Sequence, residues 1–199
     1  MQANHDKPRL IIVAGPNGSG KTTITREGLG HQWFKGCLYL NPDDIAQQEF
    51  SGWNDSQSSL KAAKKATKIR YEAIESHRSL ALETVFSSPE KLEFIKYAKQ
   101  QGYFIRLFFI CTESPLINAS RVAQRVIEGG HEVPISKIIS RYYKSLINAY
   151  RSLECVDRLY LYDNTQDDTN PKLVSRFSEG ELAKSYLGEW PEWARDFHP

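Results

Sequence analysis

The sequence is poor in cysteine, nearly neutral and free of long apolar runs, and each shortage excludes a class of protein. Its 199 residues include three cysteines, Cys37, Cys111 and Cys155. This odd, widely spaced set argues against a disulfide framework or a cysteine metal site, and we expect reduced, packed thiols. The formal net charge is +2, so the surface as a whole has no strong attraction for nucleic acid.

A membrane span and a secretory signal are also missing from the pattern. No stretch approaches the roughly 20 apolar residues that a membrane helix needs. The opening MQANHDKPR is polar and lacks the apolar centre of a signal peptide. We therefore expect a cytoplasmic protein with no membrane partner. Its length suits one domain over residues 1–199.

What the sequence does contain is an alternation of short apolar runs and longer helical patterns. Five runs predict buried strands: Arg9–Ala14, Cys37–Leu40, Ser79–Phe86, Tyr103–Ile110 and Arg158–Asp163. Five segments predict helices: Lys21–Leu29, Asp55–Arg78, Pro89–Gln101, Pro115–Glu128 and Ile135–Glu154. This order predicts an α/β fold with a mostly parallel five-stranded sheet and helices on both faces. Lys172–Phe177 is a candidate sixth, antiparallel strand.

The segment GPNGSGKT after the first predicted strand matches the phosphate-loop pattern G-x-x-x-x-G-K-[ST]. Its glycines let successive N–H groups point at an anion, at the start of a helix whose positive end faces the same place. We expect Lys21 to reach the β- and γ-phosphates of ATP and the Thr22 hydroxyl to bind Mg²⁺. The predicted nucleotide-binding residues are Gly15, Pro16, Asn17, Gly18, Ser19, Gly20, Lys21, Thr22, Thr23 and, after the fifth strand, Asn164.

Polar side chains stand near the ends of the second and third predicted strands. Asp43 and Asp44 follow the second strand, and Glu83 and Thr84 lie near the end of the third. Ligands of open α/β sheets gather at this edge, where carboxylates can hold Mg²⁺ or accept a proton from a hydroxyl. For Asp44, capping of a helix entered at Ile45 is an open alternative.

Basic residues occur on two of the predicted helices. Arg121 and Arg125 are four residues apart and share a helix face, where their positive charges repel each other. A polyphosphate bound between them would turn this repulsion into attraction, so we favour a phosphate-binding role over the alternative of two solvated surface arginines. The segment GGHEVP after them predicts a mobile lid within residues 115–145. The lysines and arginines of the Asp55–Arg78 helix are interpreted as a solvated basic face rather than an anion site.

Five motifs together resemble the zeta toxin family of P-loop kinases, especially its short members. They are GPNGSGKTT, LNPDDIA, LETVFSS, RVAQRVIEGGHEVP and ISRYYKSL, which span about Arg9–Asn164. The resemblance implies a nucleotide-kinase-like core and transfer of the ATP γ-phosphate to a small-molecule hydroxyl. Relatives phosphorylate UDP-N-acetylglucosamine and are inhibited by a small antitoxin protein.

The resemblance also implies roles for individual residues. Asp43 matches the base that acts on the acceptor hydroxyl, and Glu83, with Thr84, is expected to contact the acceptor. Arg121 and Arg125 are expected on the phosphates and join Asp43 and Lys21 as catalytic candidates.

Two other interpretations stay open. A polynucleotide or other metabolite kinase would use the same core, but only the Asp55–Arg78 helix offers a basic groove, so we do not expect a nucleic-acid partner. A nucleotide-dependent switch would need a guanine-reading Asn-Lys-x-Asp motif, and the sequence has none.

Overall fold

A computed structural model describes residues 7–50, 56–130, 132–167 and 169–198. Strands and helices alternate through most of this part of the chain. The strands are β1 (Arg9–Ala14), β2 (Leu38–Leu40), β3 (Leu80–Thr84), β4 (Phe104–Cys111), β5 (Arg158–Asp163), β6 (Lys172–Ser178) and β7 (Glu181–Ser185). The helices are α1 (Lys21–Leu29), α2 (Pro42–Glu49), α3 (Ser56–Glu75), α4 (Pro89–Gln100), α5 (Pro115–Ile127) and α6 (Ile135–Ser152), with a 3₁₀ turn over Glu192–Phe197.

The strands form one sheet in the order β2-β3-β1-β4-β5-β6-β7. The first five in this order are parallel, and β6 and β7 extend the sheet in antiparallel fashion. The α/β fold with a mostly parallel sheet is therefore confirmed, but the prediction of five strands was wrong because the sheet has seven. Strand β7 was missed because it is a largely exposed edge with a single apolar side chain of any size, so no apolar run marks it.

Alternate residues of β1 show how the two faces of the sheet are covered. Leu10 and Ile12 face a core built with α3, α4, α6 and the C-terminal 3₁₀ turn. Ile11 and Val13 face the opposite side, where α1 and the turn that contains Phe34 pack. This two-sided burial explains why the strands are apolar throughout instead of alternating, and it leaves the carboxyl ends of the parallel strands free for a site.

The cysteine prediction is confirmed, because all three thiols are free and two of them are buried. Burial raises the pKa of Cys111 to about 12 and that of Cys155 to about 11, so both remain protonated at neutral pH. Among the described residues, no helix combines the length and the apolarity that a membrane span requires.

Candidate functional site

The predicted phosphate loop connects β1 to α1 at the carboxyl edge of the sheet. Its backbone takes left-handed conformations at Gly18 (φ +76°) and Gly20 (φ +90°), which favour glycine. A side chain at Gly18 would place its Cβ 2.5 Å from the carbonyl oxygen of Asn118 on α5. The loop therefore needs these glycines both for its own shape and for the close approach of α5.

Three side chains from distant parts of the chain hold this loop. The Asn118 amide donates to the Asn17 carbonyl over 2.5 Å, and the Asn164 amide donates to the Ser19 carbonyl over 2.9 Å. Arg141 on α6 donates through Nη1 to Asn17 Oδ1 over 3.2 Å. Asn164, predicted to bind nucleotide, thus braces the loop backbone. The sequence analysis did not assign Asn118, although an asparagine in an otherwise apolar helix stretch is a signal for a buried polar contact.

Lys21 is buried at the end of the loop, and its ammonium donates to the Pro16 carbonyl over 2.9 Å. Burial lowers its pKa to about 8, against the opposing influence of Glu83 and with the help of the nearby positive charge of Arg125. Among the described residues, no carboxylate forms an ion pair with Lys21. A bound anion would therefore restore the stability of the charged form.

Glu83 at the end of β3 accepts two hydroxyl hydrogen bonds. Thr22 donates to Oε1 over 3.2 Å and Thr25 donates to Oε2 over 3.0 Å. These bonds explain why a carboxylate is tolerated next to the buried strand core. Thr22, Glu83 and Asp43 present hard oxygen atoms, the donor type that suits Mg²⁺. In the described ranges, no group of three or more histidine, cysteine, aspartate or glutamate side chains is placed to hold a metal ion.

The phosphate loop opens onto a cavity of about 740 Å³ bounded by α2, α3, α4, α5 and α6. The cavity unites most of the predicted catalytic and acceptor-binding side chains. The residues that line the cavity and were predicted as site residues of any kind are Asn17, Gly18, Gly20, Lys21, Thr22, Asp43, Glu83, Thr84 and Arg125.

A smaller cavity of about 260 Å³ also borders the loop, at Gly18 and Gly20. Thr23, Asn164 and Arg121 line it, and Arg125 borders both cavities. Three further loop residues, Gly15, Pro16 and Ser19, are buried. Ser19 is fully buried, and its hydroxyl has no hydrogen-bond partner within the described part of the chain.

The two aspartates after β2 lie in the first turn of α2, which begins at Pro42 and not near Ile45. The N-cap is Asn41, whose side chain accepts a hydrogen bond from the Asp43 backbone N–H over 3.1 Å. The alternative in which Asp44 caps this helix was therefore wrong. Asp43 lines the large cavity, and burial together with Asp43 raises the pKa of Asp44.

The two arginines of α5 have different surroundings. Arg121 forms an ion pair with Asp167 through Nε (2.8 Å) and Nη2 (2.6 Å) and donates through Nη1 to the Asn164 carbonyl over 2.8 Å. No side-chain hydrogen bond or ion pair of Arg125 occurs within the described ranges, and this guanidinium lies close enough to Lys21 to influence its pKa. Arg141 of α6 is a third cavity arginine, which the sequence analysis did not include among the site residues.

We predict that Arg125→Ala reduces phosphoryl transfer by about 10³-fold with a nearly unchanged melting temperature, because a free cavity arginine is suited to stabilise charge on a transferring phosphoryl group. Arg121→Ala should instead raise the KM for ATP and lower the melting temperature, since it releases the segment around Asp167. Steady-state kinetics and thermal denaturation measure both effects. Arg151→Ala, at an exposed position of α6, is the control. Equal kinetic losses in the control and in Arg125→Ala would contradict the assignment.

The helix α3 departs from the predicted solvated basic face. Lys68 is 78% exposed, as expected of such a face. Arg70, however, is only 4% exposed, and it lines the large cavity together with Lys64. The interpretation was therefore wrong for Arg70, because the position of α3 against α2 and α4 turns one edge of the helix toward the site, whereas Lys64 is exposed at the cavity.

The chain is similar to known proteins both in sequence and in fold. The chain is 28% identical to an uncharacterized protein of Haemophilus influenzae over 134 residues, which are 67% of this chain and 92% of that protein. Its fold is similar to that of the PezAT chromosomal toxin–antitoxin system of Streptococcus pneumoniae (TM-score 0.65, 18% identity), covering 98% of this chain and 85% of that one.

A similar fold also occurs in AvrRxo1-ORF1:-ORF2, solved with ATP (TM-score 0.68, 19% identity, 98% of this chain). This chain spans 63% of the length of that one. The sequence model of the zeta toxin family matches residues 1–170, most of the chain. This match confirms the resemblance seen in the motifs: the chain belongs to the zeta toxin family.

Proposed function

We propose that the protein is an ATP-dependent kinase that transfers the γ-phosphate to a hydroxyl group of a small molecule. Family membership and a kinase-like fold support a P-loop phosphotransferase in general. The observation that carries the finer proposal is the shared cavity, in which Lys21 of the phosphate loop and the Asp43 and Glu83 carboxylates face one space. Donor and acceptor groups can therefore meet there.

The residues suggest a direct transfer. Lys21 and Arg125 bind the β- and γ-phosphates, and Asp43 positions the acceptor hydroxyl and accepts its proton. The hydroxyl oxygen forms a bond to the γ-phosphorus while the bond from that phosphorus to the β–γ bridging oxygen breaks, and ADP leaves. Thr22, with Glu83 or Asp43, would hold Mg²⁺, which neutralises phosphate charge when bound.

The smaller cavity beside the loop is a candidate site for the part of ATP beyond its phosphates. Arg121, Asn164 and Thr23 line this cavity, and the remainder of ATP is proposed to continue into it from the phosphates. We further propose that the segment Gly129–Pro134 acts as a lid that brings Arg125 onto the phosphates. Gly129 adopts φ +87° there, and His131 lies outside the described residues.

The family suggests UDP-N-acetylglucosamine as the first acceptor to test and a small antitoxin protein as a partner. One similar solved structure comes from a toxin–antitoxin system, which supports the second suggestion. Neither identity follows from the cavity alone.

We predict that [γ-³²P]ATP labels one member of a panel of nucleotide sugars, nucleosides and 5′-hydroxyl oligonucleotides. Thin-layer chromatography would identify the labelled product, and Lys21→Ala protein is the negative control. Labelling of an oligonucleotide alone would favour a polynucleotide kinase. Release of inorganic phosphate at a rate that no acceptor changes would favour a nucleotide-dependent switch.

A further inference from the structure

The C-terminal 3₁₀ turn, Glu192–Phe197, packs against β4 and the carboxyl end of β5. Trp193 is 8% exposed, and its ring centre lies 6.1 Å from that of Phe109 on β4. Ala194 and Phe197 are buried as well. The turn lies beyond residue 170, where the match to the zeta toxin family ends, so the family motifs do not account for it.

Two hydrogen bonds attach this turn to carboxylates at the strand ends. The Trp193 indole N–H donates to Asp163 Oδ1, at the end of β5, over 2.9 Å. The Glu192 backbone N–H donates to Oε1 of Glu113, which follows β4, over 3.0 Å. Hydrogen bonds to an ionised carboxylate are stronger than those between neutral groups, so both contacts restrict where these side chains lie.

Thr165 connects the two strand ends to each other. Its hydroxyl donates to Asp163 Oδ1 over 2.7 Å and accepts from the Glu113 backbone N–H over 2.9 Å. Asp163 Oδ1 therefore accepts hydrogen bonds from Thr165 and from Trp193 at the same time. The segment 163–165 is thus held by the C-terminal turn on one side and by the chain after β4 on the other.

Asn164 lies in the middle of this segment and is one of the side chains that hold the phosphate loop. Its amide donates to the Ser19 carbonyl over 2.9 Å, and its backbone N–H donates to the Cys111 carbonyl over 2.8 Å. The amide nitrogen occupies the space that a Cβ on Gly20 would need. A displacement of Asn164 would therefore release the backbone of the loop.

We propose that Trp193 is a positioning residue for nucleotide binding, which acts on the phosphate loop through Asp163 and Asn164. Trp193 is not among the lining residues of either cavity beside the loop, so it acts without touching ATP. Without its N–H, Asp163 loses a donor, and the Asn164 amide holds the Ser19 carbonyl less firmly. This inference rests on the proposed function, because it concerns the ATP site of the same kinase.

Isothermal titration calorimetry of the full chain with Mg²⁺ and a non-hydrolysable ATP analogue tests this role. Trp193→Phe keeps an aromatic ring and removes the N–H donor. We expect its dissociation constant to rise by about three- to tenfold, as is typical of a residue that acts on a site through its neighbours. Trp190→Phe is the matched control and should leave the affinity unchanged, because the Trp190 N–H donates to Ser185 Oγ on β7 instead.

A double-mutant cycle distinguishes action through Asn164 from a general loss of stability. Asn164→Ala should weaken binding of the analogue, and Trp193→Phe should add little in that background, because the link is already broken. Hydrogen–deuterium exchange at the amides of residues 17–20 should become faster in Trp193→Phe and stay unchanged in Trp190→Phe. Losses that multiply in the double variant, or equal losses in the two tryptophan variants, would overturn the inference.

Thr165→Val provides the same test with the C-terminal turn intact, so a folding defect in Trp193→Phe does not affect the outcome. It removes the hydroxyl donor to Asp163 and should also weaken binding of the analogue, whereas Thr165→Ser keeps the hydroxyl and most of the affinity. Unchanged affinity in Trp193→Phe, or in Thr165→Val if the first variant does not fold, would overturn the inference alone. Failure of the wild-type protein to bind the analogue would instead overturn the proposed function and this inference with it.

Discussion

Phosphoryl transfer should fall at least about 10²- to 10³-fold in Lys21→Ala, the loss typical of removing one preorganised group that stabilises transition-state charge. The Lys21 ammonium already lies against the Pro16 carbonyl at the end of the phosphate loop. Loss of this group should remove a cation that we propose binds the γ-phosphate. Transfer is measured with labelled ATP, and circular dichroism checks that the variant is folded. Unchanged transfer in a folded Lys21→Ala protein would refute the kinase proposal.

The same lysine should lower the stability of the protein when no nucleotide is bound. Its pKa falls from 10.5 to about 8 in the folded protein because burial disfavours the charge. The folded state therefore binds fewer protons than the unfolded state between these values. This loss of stability is complete below about pH 8, shrinks as the pH rises from about 8 to 10.5, and is absent above about pH 10.5.

A Lys21→Met variant, which keeps an unbranched apolar stem, should therefore melt at a higher temperature than wild type at pH 7. This advantage should shrink as the pH rises above 8, and calorimetry across pH 7–10 would measure it. A constant difference over this range would show that the charge of Lys21 is not the cause.

A large effect is also expected at Asp43. Asp43→Asn should reduce turnover by at least about 10²-fold, the low end for a general acid–base group, with little change in stability. The helix cap survives this change because it uses the backbone N–H of Asp43 and the side chain of Asn41. Steady-state turnover with a saturating acceptor is the measurement.

Asp44→Asn is the matched control, one residue away in the same turn of α2. Asp43 lines the cavity, whereas Asp44 is not among the lining residues. We therefore expect a much smaller loss in Asp44→Asn. A larger loss there than in Asp43→Asn would exchange the two assignments.

Local sequence was sufficient for the parts of the fold whose signals are local. The run RLIIVA is buried on both faces and was predicted as β1 within its observed bounds. The phosphate loop was predicted because its glycines and Lys21 carry a backbone requirement and a charge within eight residues. The start of α2 was missed by three residues, although Asn41 followed by Pro42 is an N-cap and first-position pair that local sequence does contain.

Other features depend on contacts between distant segments. The loop is held by side chains that are 101, 124 and 145 residues away in sequence, from Asn118, Arg141 and Asn164. No local pattern specifies such pairings. Strand β7 likewise exists because β6 offers it an edge, and its own residues are mostly exposed.

The sequence by itself determined the glycine-rich loop between β1 and α1, the five parallel strands and the family, because each depends on residue types at short, regular spacings. Only the tertiary structure decided which charged residues face the site. Arg70 and Lys68 lie on the same basic helix, yet one is 4% exposed in the cavity and the other has a side chain 78% exposed. The physical reason is that burial of a charge depends on the packing of α3 against its neighbours, and helix periodicity alone does not specify which face that packing covers.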